Sequence, residues 1–390
     1  MAKLLVKRGR ANPLWHGHPW VYSGAVLREE GNPAPGDAVD VCDSEGKLIG
    51  RGHFNPRSQI RARIITFRDE PVDAALIRRR IDDAVSLRKK LGLPSEATSA
   101  YRLLHSEGDS LPGVIADVYG DVVVVQITTL GMKRVEDDVY AALWDALSPR
   151  ALVEVASSGV SQLEGFTAST RVVRGEDVTR VRCRENGIEL EVEPLGGQKT
   201  GMFVDQRENR RRVGELARGA RVLDMYTYAG GFALAALRGG ATEATCVDAS
   251  QKALERARGH AALNKLEGLQ TVEADAFRFL ETATPRRYDL VILDPPKFAK
   301  ARKDLDAAMK GYQRLNMLGL TAVSEGGLLA TCSCSGNVDS ETFERMLAAS
   351  ARDAGRRVQI LESSSQGADH PIPPGFSEGR YLKFLLCRVL

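Results

Sequence analysis

The chain has 390 residues and a formal net charge of +3. That length exceeds what one hydrophobic core usually supports, so two or three domains are expected. The six cysteines are scattered without paired spacing and no Cys/His set matches a zinc pattern, which excludes a disulfide framework and a structural metal and points to a reducing cytosol. The N-terminus, Met-Ala-Lys-Leu-Leu-Val-Lys-Arg, lacks a signal peptide's apolar core, and no run approaches the roughly 20 apolar residues of a membrane span. A soluble, cytoplasmic protein is the expectation.

Residues 1–70 read as a small β-barrel. Short runs, Leu4-Leu5-Val6, Trp20-Val21-Tyr22, Ala38-Val39-Asp40-Val41, Leu48-Ile49-Gly50 and residues 60–65, are broken by the turn pairs Gly36-Asp37 and Glu45-Gly46. Arg8, Arg10, Trp15, Trp20, Arg51 and Arg57 combine guanidinium and aromatic groups, which suits phosphate contacts and base stacking. The same composition fits an ordinary structural β-domain.

Residues 71–190 read as an α+β module. Leu76, Ile77, Ile81, Ala84, Val85 and Leu87 recur at helical spacing over residues 73–91, and Gly92 with Pro94 ends the helix. Residues 113–119 turn at Gly120-Asp121 into the run 122–127, a hairpin, and 132–147 is helical again.

From residue 191 to the end the pattern becomes strand, loop, helix, repeated: 221–223 before 233–237, 244–247 before 250–264, 270–272 before 276–281. Such alternation predicts a Rossmann-like, mostly parallel sheet covered by helices on both faces, so the whole chain is expected to be multi-domain α/β. The first strand runs into Asp224 and the loop Met-Tyr-Thr-Tyr-Ala-Gly-Gly-Phe, where Tyr226 and Tyr228 precede Gly230 and Gly231, a pair that lets backbone approach a ligand. The second ends in Asp248-Ala249, 17 residues past Gly231, near the roughly 20-residue spacing at which an acid reaches a ribose diol. Beyond the third, Asp275 is placed to accept from an adenine amino group, with Ala276 and its neighbours flanking the ring. The loop lacks the full G-x-G-x-x-G that seats a pyrophosphate, so S-adenosylmethionine fits better than a nicotinamide dinucleotide.

Two further strand ends carry reactive groups. Residues 290–293 end in Asp294-Pro295-Pro296-Lys297-Phe298, and 327–330 end in Thr331-Cys332-Ser333-Cys334-Ser335. In open α/β sheets chemistry collects outside such ends. Cys332 and Cys334 share one face of an extended chain and the polar Thr331, Ser333 and Ser335 the other, so one or both thiols should reach the polar mouth. Arginine also clusters at residues 207–212, a pattern that fits nucleic acid and equally a solvated face.

In this order the motifs resemble the RlmI-like large-subunit ribosomal RNA cytosine-C5 methyltransferases over nearly the whole chain. The resemblance rests on His18-Pro19-Trp20-Val21-Tyr22-Ser23-Gly24, Ile49-Gly50-Arg51-Gly52 with Asn55-Pro56, Glu107-Gly108-Asp109, Leu111-Pro112-Gly113-Val114, the segment from Gln198 to Arg210, Asp294 to Phe298, Ser333-Cys334-Ser335 and Asp369-His370-Pro371. It implies a PUA-like RNA-binding domain over 1–70, a central α+β domain over 71–190 and a class I methyltransferase domain over 191–390. It further implies S-adenosylmethionine as methyl donor, held by Lys199, Phe203, Gln206 and Asn209 and by Asp224, Asp248, Asp275, Asp294 and Pro295, and a cysteine nucleophile in the last thiol motif. Its partner would be 23S ribosomal RNA or a pre-ribosomal particle; a homodimer is compatible with the chain. Ala229 departs from the Thr that relatives often carry before the glycine pair, and Cys332 creates a second Thr-Cys-Ser frame.

Cytosine C5 is a poor nucleophile, so a thiolate would first add to C6 and push electron density onto C5. Cys334 is assigned that role because it lies further out along the strand and sits in the Ser-Cys-Ser frame, with Cys332 as the alternative. Asp294 would meet the N3/N4 edge, Lys297 would share that role or contact RNA, and Phe298 or Tyr312 would hold an extruded base or pack the core. Two other readings stand beside this one: a purine methyltransferase acting at guanine N7 or an exocyclic amine without a thiol, and a non-catalytic RNA-binding ribosome-assembly factor.

Overall fold

The computed structural model describes residues 1–157, 159–196, 200–298 and 304–390. Contacts divide the chain into two compact units, one of residues 1–185, 191–204 and 368–379, the other of residues 186–190, 205–367 and 380–390. Residues 1–70 and most of 71–190 lie in the first unit and most of 191–390 in the second, with 191–204 and 368–379 in the first unit and 186–190 in the second.

The first unit opens with β1 (Lys3–Val6), α1 (Asn12–Trp15), β2 (Trp20–Tyr22), β3 (Val26–Glu30), β4 (Ala38–Cys42), β5 (Leu48–Phe54) and β6 (Ile60–Thr66), whose strands form one sheet in the order β2-β6-β5-β4-β1-β3. Laid flat, six strands would separate the edges β2 and β3 by about 24 Å. Those edges are joined by the 3-10 turn Ser23–Ala25, and four residue steps span at most about 14 Å. The sheet is consequently rolled around Leu4, Val6, Val21, Val39, Val41, Ile49, Phe54, Ala62 and Ile64.

There follow α2 (Ala74–Lys90), β7 (Ala100–His105), β8 (Val114–Tyr119), β9 (Val122–Ile127), α3 (Leu130–Arg134), α4 (Glu136–Leu147), β10 (Ala151–Glu154), α5 (Val160–Glu164) and β11 (Arg171–Gly175). The strands form a second sheet in the order β11-β10-β9-β8-β7. Asp73 caps α2 by accepting from Leu76 N at 2.9 Å, and Leu76, Ile77, Ile81 and Ala84 pack with Val139 and Leu143 of α4 on this sheet. Residues 132–147, expected as one helix, are α3 and α4, divided at Val135. A ribbon of β12 (Val181–Glu185) and β13 (Ile188–Val192) carries the chain onward.

The second unit comprises α6 (Arg207–Leu216), β14 (Arg221–Met225), α7 (Gly231–Arg238), β15 (Glu243–Asp248), α8 (Gln251–Leu263), β16 (Leu269–Glu273), α9 (Ala276–Thr282), β17 (Tyr288–Leu293), α10 (Leu305–Ala322), β18 (Val323–Ser333), α11 (Ser340–Asp353), β19 (Val358–Ser364) and β20 (Lys383–Val389). Its seven-stranded sheet runs β16-β15-β14-β17-β18-β20-β19. Strands β14 to β18 are parallel, and β20 lies antiparallel between β18 and β19. Strand alternation sorts the core into two layers. Val222, Leu290, Ile292, Ala330, Cys332, Phe384 and Leu386 meet α6, α7 and α8; Leu223, Val291, Leu293, Leu329, Leu385 and Cys387 meet α9, α10 and α11. Gly214 allows α6 to lie on α7, since a Cβ there would stand 2.7 Å from Ala235 O. The strand order reverses beside β14, which opens the crevice outside the carboxyl ends of β14 and β17.

Candidate active site

Asp224 ends up inside this crevice's wall. Its side chain is buried, and Oδ2 accepts from Thr227 Oγ1 at 2.5 Å and from Ala233 N at 3.1 Å, while Oδ1 has no hydrogen-bond partner among the described residues. Burial raises this carboxyl to about 7, with Asp294 and Asp248 adding repulsion. An unpartnered buried carboxylate oxygen at a strand end is what a cationic ligand group would satisfy.

The loop after β14 is folded tightly: Tyr226 and Tyr228 adopt φ of 59° and 50°, and Gly230 has φ of 84°. Left-handed backbone costs a non-glycine residue roughly 1–2 kcal/mol, and Asp248 holds it in place. Its Oδ2 accepts from Tyr228 N and its Oδ1 from Ser250 N, each at 2.9 Å. The approach of Gly230 is to protein: an added Cβ would stand 2.9 Å from Ala257 Cβ. Ala249 is exposed, Asp275 is an exposed N-cap of α9 that accepts from Arg278 N at 3.0 Å, and Ala276 is buried.

At the neighbouring tips, Leu293 of β17 pairs with Thr331 of β18, so Asp294 and Cys332 emerge side by side. Cys332 is fully buried among Ile292, Ala330 and Phe384. Burial pushes its thiol well above the ordinary range and the adjacent Asp294 carboxylate pushes it further. The Gln206 amide lies beside the same thiol, fixed by Asn209 Nδ2, which donates to Gln206 Oε1 at 2.6 Å, while Ser364 Oγ donates to Asn209 Oδ1 at 2.7 Å. Ser333 and Ser335 turn the other way, each hydroxyl 3.1 Å from Tyr312 OH on α10. Tyr312 is fully buried with its ring 4.7 Å from Phe298, so it packs the core. Cys334 is the partly exposed thiol; the other cysteines are buried. Asp294 and Phe298 are partly exposed, Pro295 is buried and Lys297 exposed.

The crevice thus gathers Gln206, Asn209, Asp224, Tyr226, Tyr228, Gly230, Gly231, Asp248, Asp294, Pro295, Cys332 and Cys334 in one unit. Phe203 belongs to the first unit and is partly exposed; Lys199 lies outside the described residues. Sequence reasoning missed Thr227, the partner of Asp224, and Tyr381, whose hydroxyl donates to Asp205 Oδ2 at 2.7 Å. It also missed Lys383, a lone lysine opening the apolar strand β20.

The arginines read as RNA contacts divide in two. Arg8, Arg10 and Arg57 are exposed. Arg51 is paired with Asp40 at 2.6 Å and Asp69 at 2.7 Å. Trp20 is partly buried, its indole donating to Glu107 Oε1 at 2.7 Å and its ring edge-to-face with Phe376.

A sequence model described as a PUA-like domain matches residues 4–67, and one described as an S-adenosylmethionine-dependent methyltransferase matches residues 132–372. The protein named ribosomal RNA large subunit methyltransferase I in Alteromonas mediterranea is 39% identical over 393 residues, spanning 100% of this chain and 99% of that one. This chain belongs to that methyltransferase family. The namesake from Salmonella arizonae is 39% identical over 394 residues, with coverage of 100% and 98%. A solved putative SAM-dependent methyltransferase from Streptococcus mutans shares the family fold at a TM-score of 0.86 and 23% identity, with 100% of each chain covered. The chain is therefore an S-adenosylmethionine-dependent methyltransferase with an N-terminal PUA-like domain, and S-adenosylmethionine is its cofactor. Among the described residues, no helix is long and apolar enough to cross a membrane, and no group of His, Cys, Asp and Glu could hold a metal ion.

Proposed function

We propose that this methyltransferase forms 5-methylcytosine in large-subunit (23S) ribosomal RNA in the cytoplasm, with Cys334 as covalent nucleophile. The observation that carries the reading is the difference between two thiols on one strand end: Cys334 is partly exposed, and Cys332 is sealed. The names of the full-length relatives support ribosomal RNA as substrate.

S-adenosylmethionine supplies an electrophilic methyl group. Asp224 Oδ1 would take the ammonium of its methionine part, and Asp248, whose oxygens each keep a second lone pair, the ribose diol. Asp275 would accept from the adenine amino group. Cys334 Sγ adds to C6 of the base and so raises electron density at C5, and Asp294, in its protonated form, would donate a hydrogen bond to N3 as negative charge develops there. A stacked base cannot present C6 to a thiol, so the cytosine must be extruded or unpaired. The exposed Arg8, Arg10 and Arg57 of the PUA-like domain would carry phosphate contacts.

The test is to incubate the purified protein with cofactor and large-subunit RNA, hydrolyse the RNA and identify the methylated nucleoside. 5-Methylcytidine is expected. A product methylated at guanine N7 or at an exocyclic amine would replace this reading with the purine one.

A further inference from the structure

We propose that the Lys383 ammonium is the counter-charge that holds Cys334 as a thiolate, an inference that rests on Cys334 being the nucleophile. Lys383 opens β20, in register opposite Ser333 of β18. It is 5% exposed and leads the apolar run Phe384-Leu385-Leu386. Nζ donates to Ser335 O at 2.6 Å and to Tyr381 O at 2.8 Å. The first of these fixes the ammonium on the residue directly after Cys334. Both acceptors are neutral carbonyls, so they position the charge without neutralising it, and one of the three N–H donors has no partner among the described residues.

Among the described residues, the charged and titratable groups that face Nζ are Cys334 on the β18 extension, Lys297 in the loop after β17, and Asp339 at the start of α11. Asp339 is engaged as the N-cap of α11, accepting from Thr342 N at 2.7 Å. Burial and Lys297 bring Lys383 down to about 8, against the pull of Cys334 and Asp339. A buried ammonium without a carboxylate hydrogen-bonded to it is costly. A thiolate at Cys334 would repay part of that cost. In the step itself the Cys334 S–H bond breaks, the proton passes to water and the electron pair stays on sulfur, while Lys383 remains an ammonium. Addition to C6 uses that pair to form the C–S bond while the C5=C6 π bond breaks and its electrons pass to C5 and N3. Once C5 is methylated, loss of its proton to water re-forms C5=C6, breaks the C–S bond and returns the pair to sulfur facing the same cation. Only the thiolate attacks, so the ammonium sets the reactive fraction at neutral pH.

The experiment follows alkylation of Cys334 by iodoacetamide against pH in the full-length protein, read peptide by peptide, in wild type, Lys383→Met, Lys383→Gln and Lys383→Arg. Cofactor affinity serves as the folding control. Wild type and Lys383→Arg should titrate Cys334 below the ordinary thiol value of about 8.5. Lys383→Met and Lys383→Gln should raise that inflection and slow alkylation at pH 7 about tenfold or more, one pH unit being a factor of ten. Methyl transfer should fall in parallel and recover at higher pH. If Lys383→Met fails to bind cofactor, the Gln and Arg variants carry the comparison, and equal inflections in those two overturn the proposal. An active Cys334→Ala would instead defeat the nucleophile assignment, whatever Lys383 does.

Discussion

Asp294 and Cys332 leave adjacent parallel strands side by side, one residue beyond the paired Leu293 and Thr331. The carboxylate and the burial both oppose a thiolate at Cys332, and neither the packing around it nor its exposure admits a base. Cys334→Ala should therefore lower methyl transfer by at least about 10³-fold with cofactor affinity retained. Cys332→Ala should keep activity within about threefold and cost roughly 1–2 kcal/mol of stability for the lost buried sulfur. RNA carrying 5-fluorocytosine should trap a covalent adduct at Cys334, because fluorine blocks release. An adduct at Cys332 would reassign the nucleophile, and full activity in the double alanine variant would reject covalent catalysis.

How far the chain could be read depends on whether a residue's partner is local. The apolar runs that became β14, β15, β17 and β18 were legible because buried parallel strands are continuously hydrophobic. Strand β3, Val26-Leu27-Arg28-Glu29-Glu30, was not, since it is an edge strand with exposed charges and its one pairing partner, β1, lies about twenty residues away. Asp224 and Asp248 could be placed at strand ends from spacing, but the bonds that clamp Tyr228 to Asp248 come from φ values that no local pattern announces. Arg88 is the clearest miss. Periodicity puts a basic residue in the last turn of α2 toward water, whereas its guanidinium is 1% exposed and reaches Asp369 O, 281 residues away.

Arg88 also binds Asp109 through two nitrogens, with Nη2 to Oδ2 at 2.8 Å. Asp109 in turn accepts from His105 N at 2.6 Å. Arg88→Met would strand a buried carboxylate and should cost about 3–5 kcal/mol in urea unfolding of the full chain. Arg78→Met, at a pair with Asp145 where both side chains are about half exposed, should cost less than about 1 kcal/mol. Equal costs would mean that the Arg88 network is solvated in solution.

Exposed arginines that touch phosphate should act through counterion release. The double change Arg8→Ala and Arg10→Ala should weaken RNA binding several-fold and reduce the slope of log K against log salt by about 1–2, leaving the melting temperature unchanged. Arg51→Ala breaks pairs to Asp40 and Asp69 and should show up as lost stability before lost RNA affinity. Filter-binding titrations over a salt series separate the two. An unchanged slope in the Arg8 and Arg10 variant would remove those residues from the RNA contact.

Asp224 should make cofactor binding depend on pH. Its carboxyl is raised from the reference 3.8 to about 7, chiefly by burial. A group that holds its proton more tightly when folded stabilises the fold fully below the unfolded pKa, and that contribution is lost as pH rises through the folded value. The cofactor-free protein should accordingly lose stability between about pH 4 and pH 7 relative to Asp224→Asn, with an added slope of at most about 1.4 kcal/mol per pH unit. Binding of a cationic methionine end favours the carboxylate, so affinity for S-adenosylmethionine should rise with pH below about 7, by up to tenfold per unit. An α-amino group remains protonated there, since its own pKa is about 7.7–8.0, which confines the effect to the protein's carboxyl. Asp224→Asn should bind at least tenfold more weakly at pH 7 and show no such slope. Calorimetric titration from pH 5.5 to 7 in two buffers would also detect the proton released on binding; a flat wild-type affinity with no proton release would mean that Asp224 does not meet the cofactor's charge.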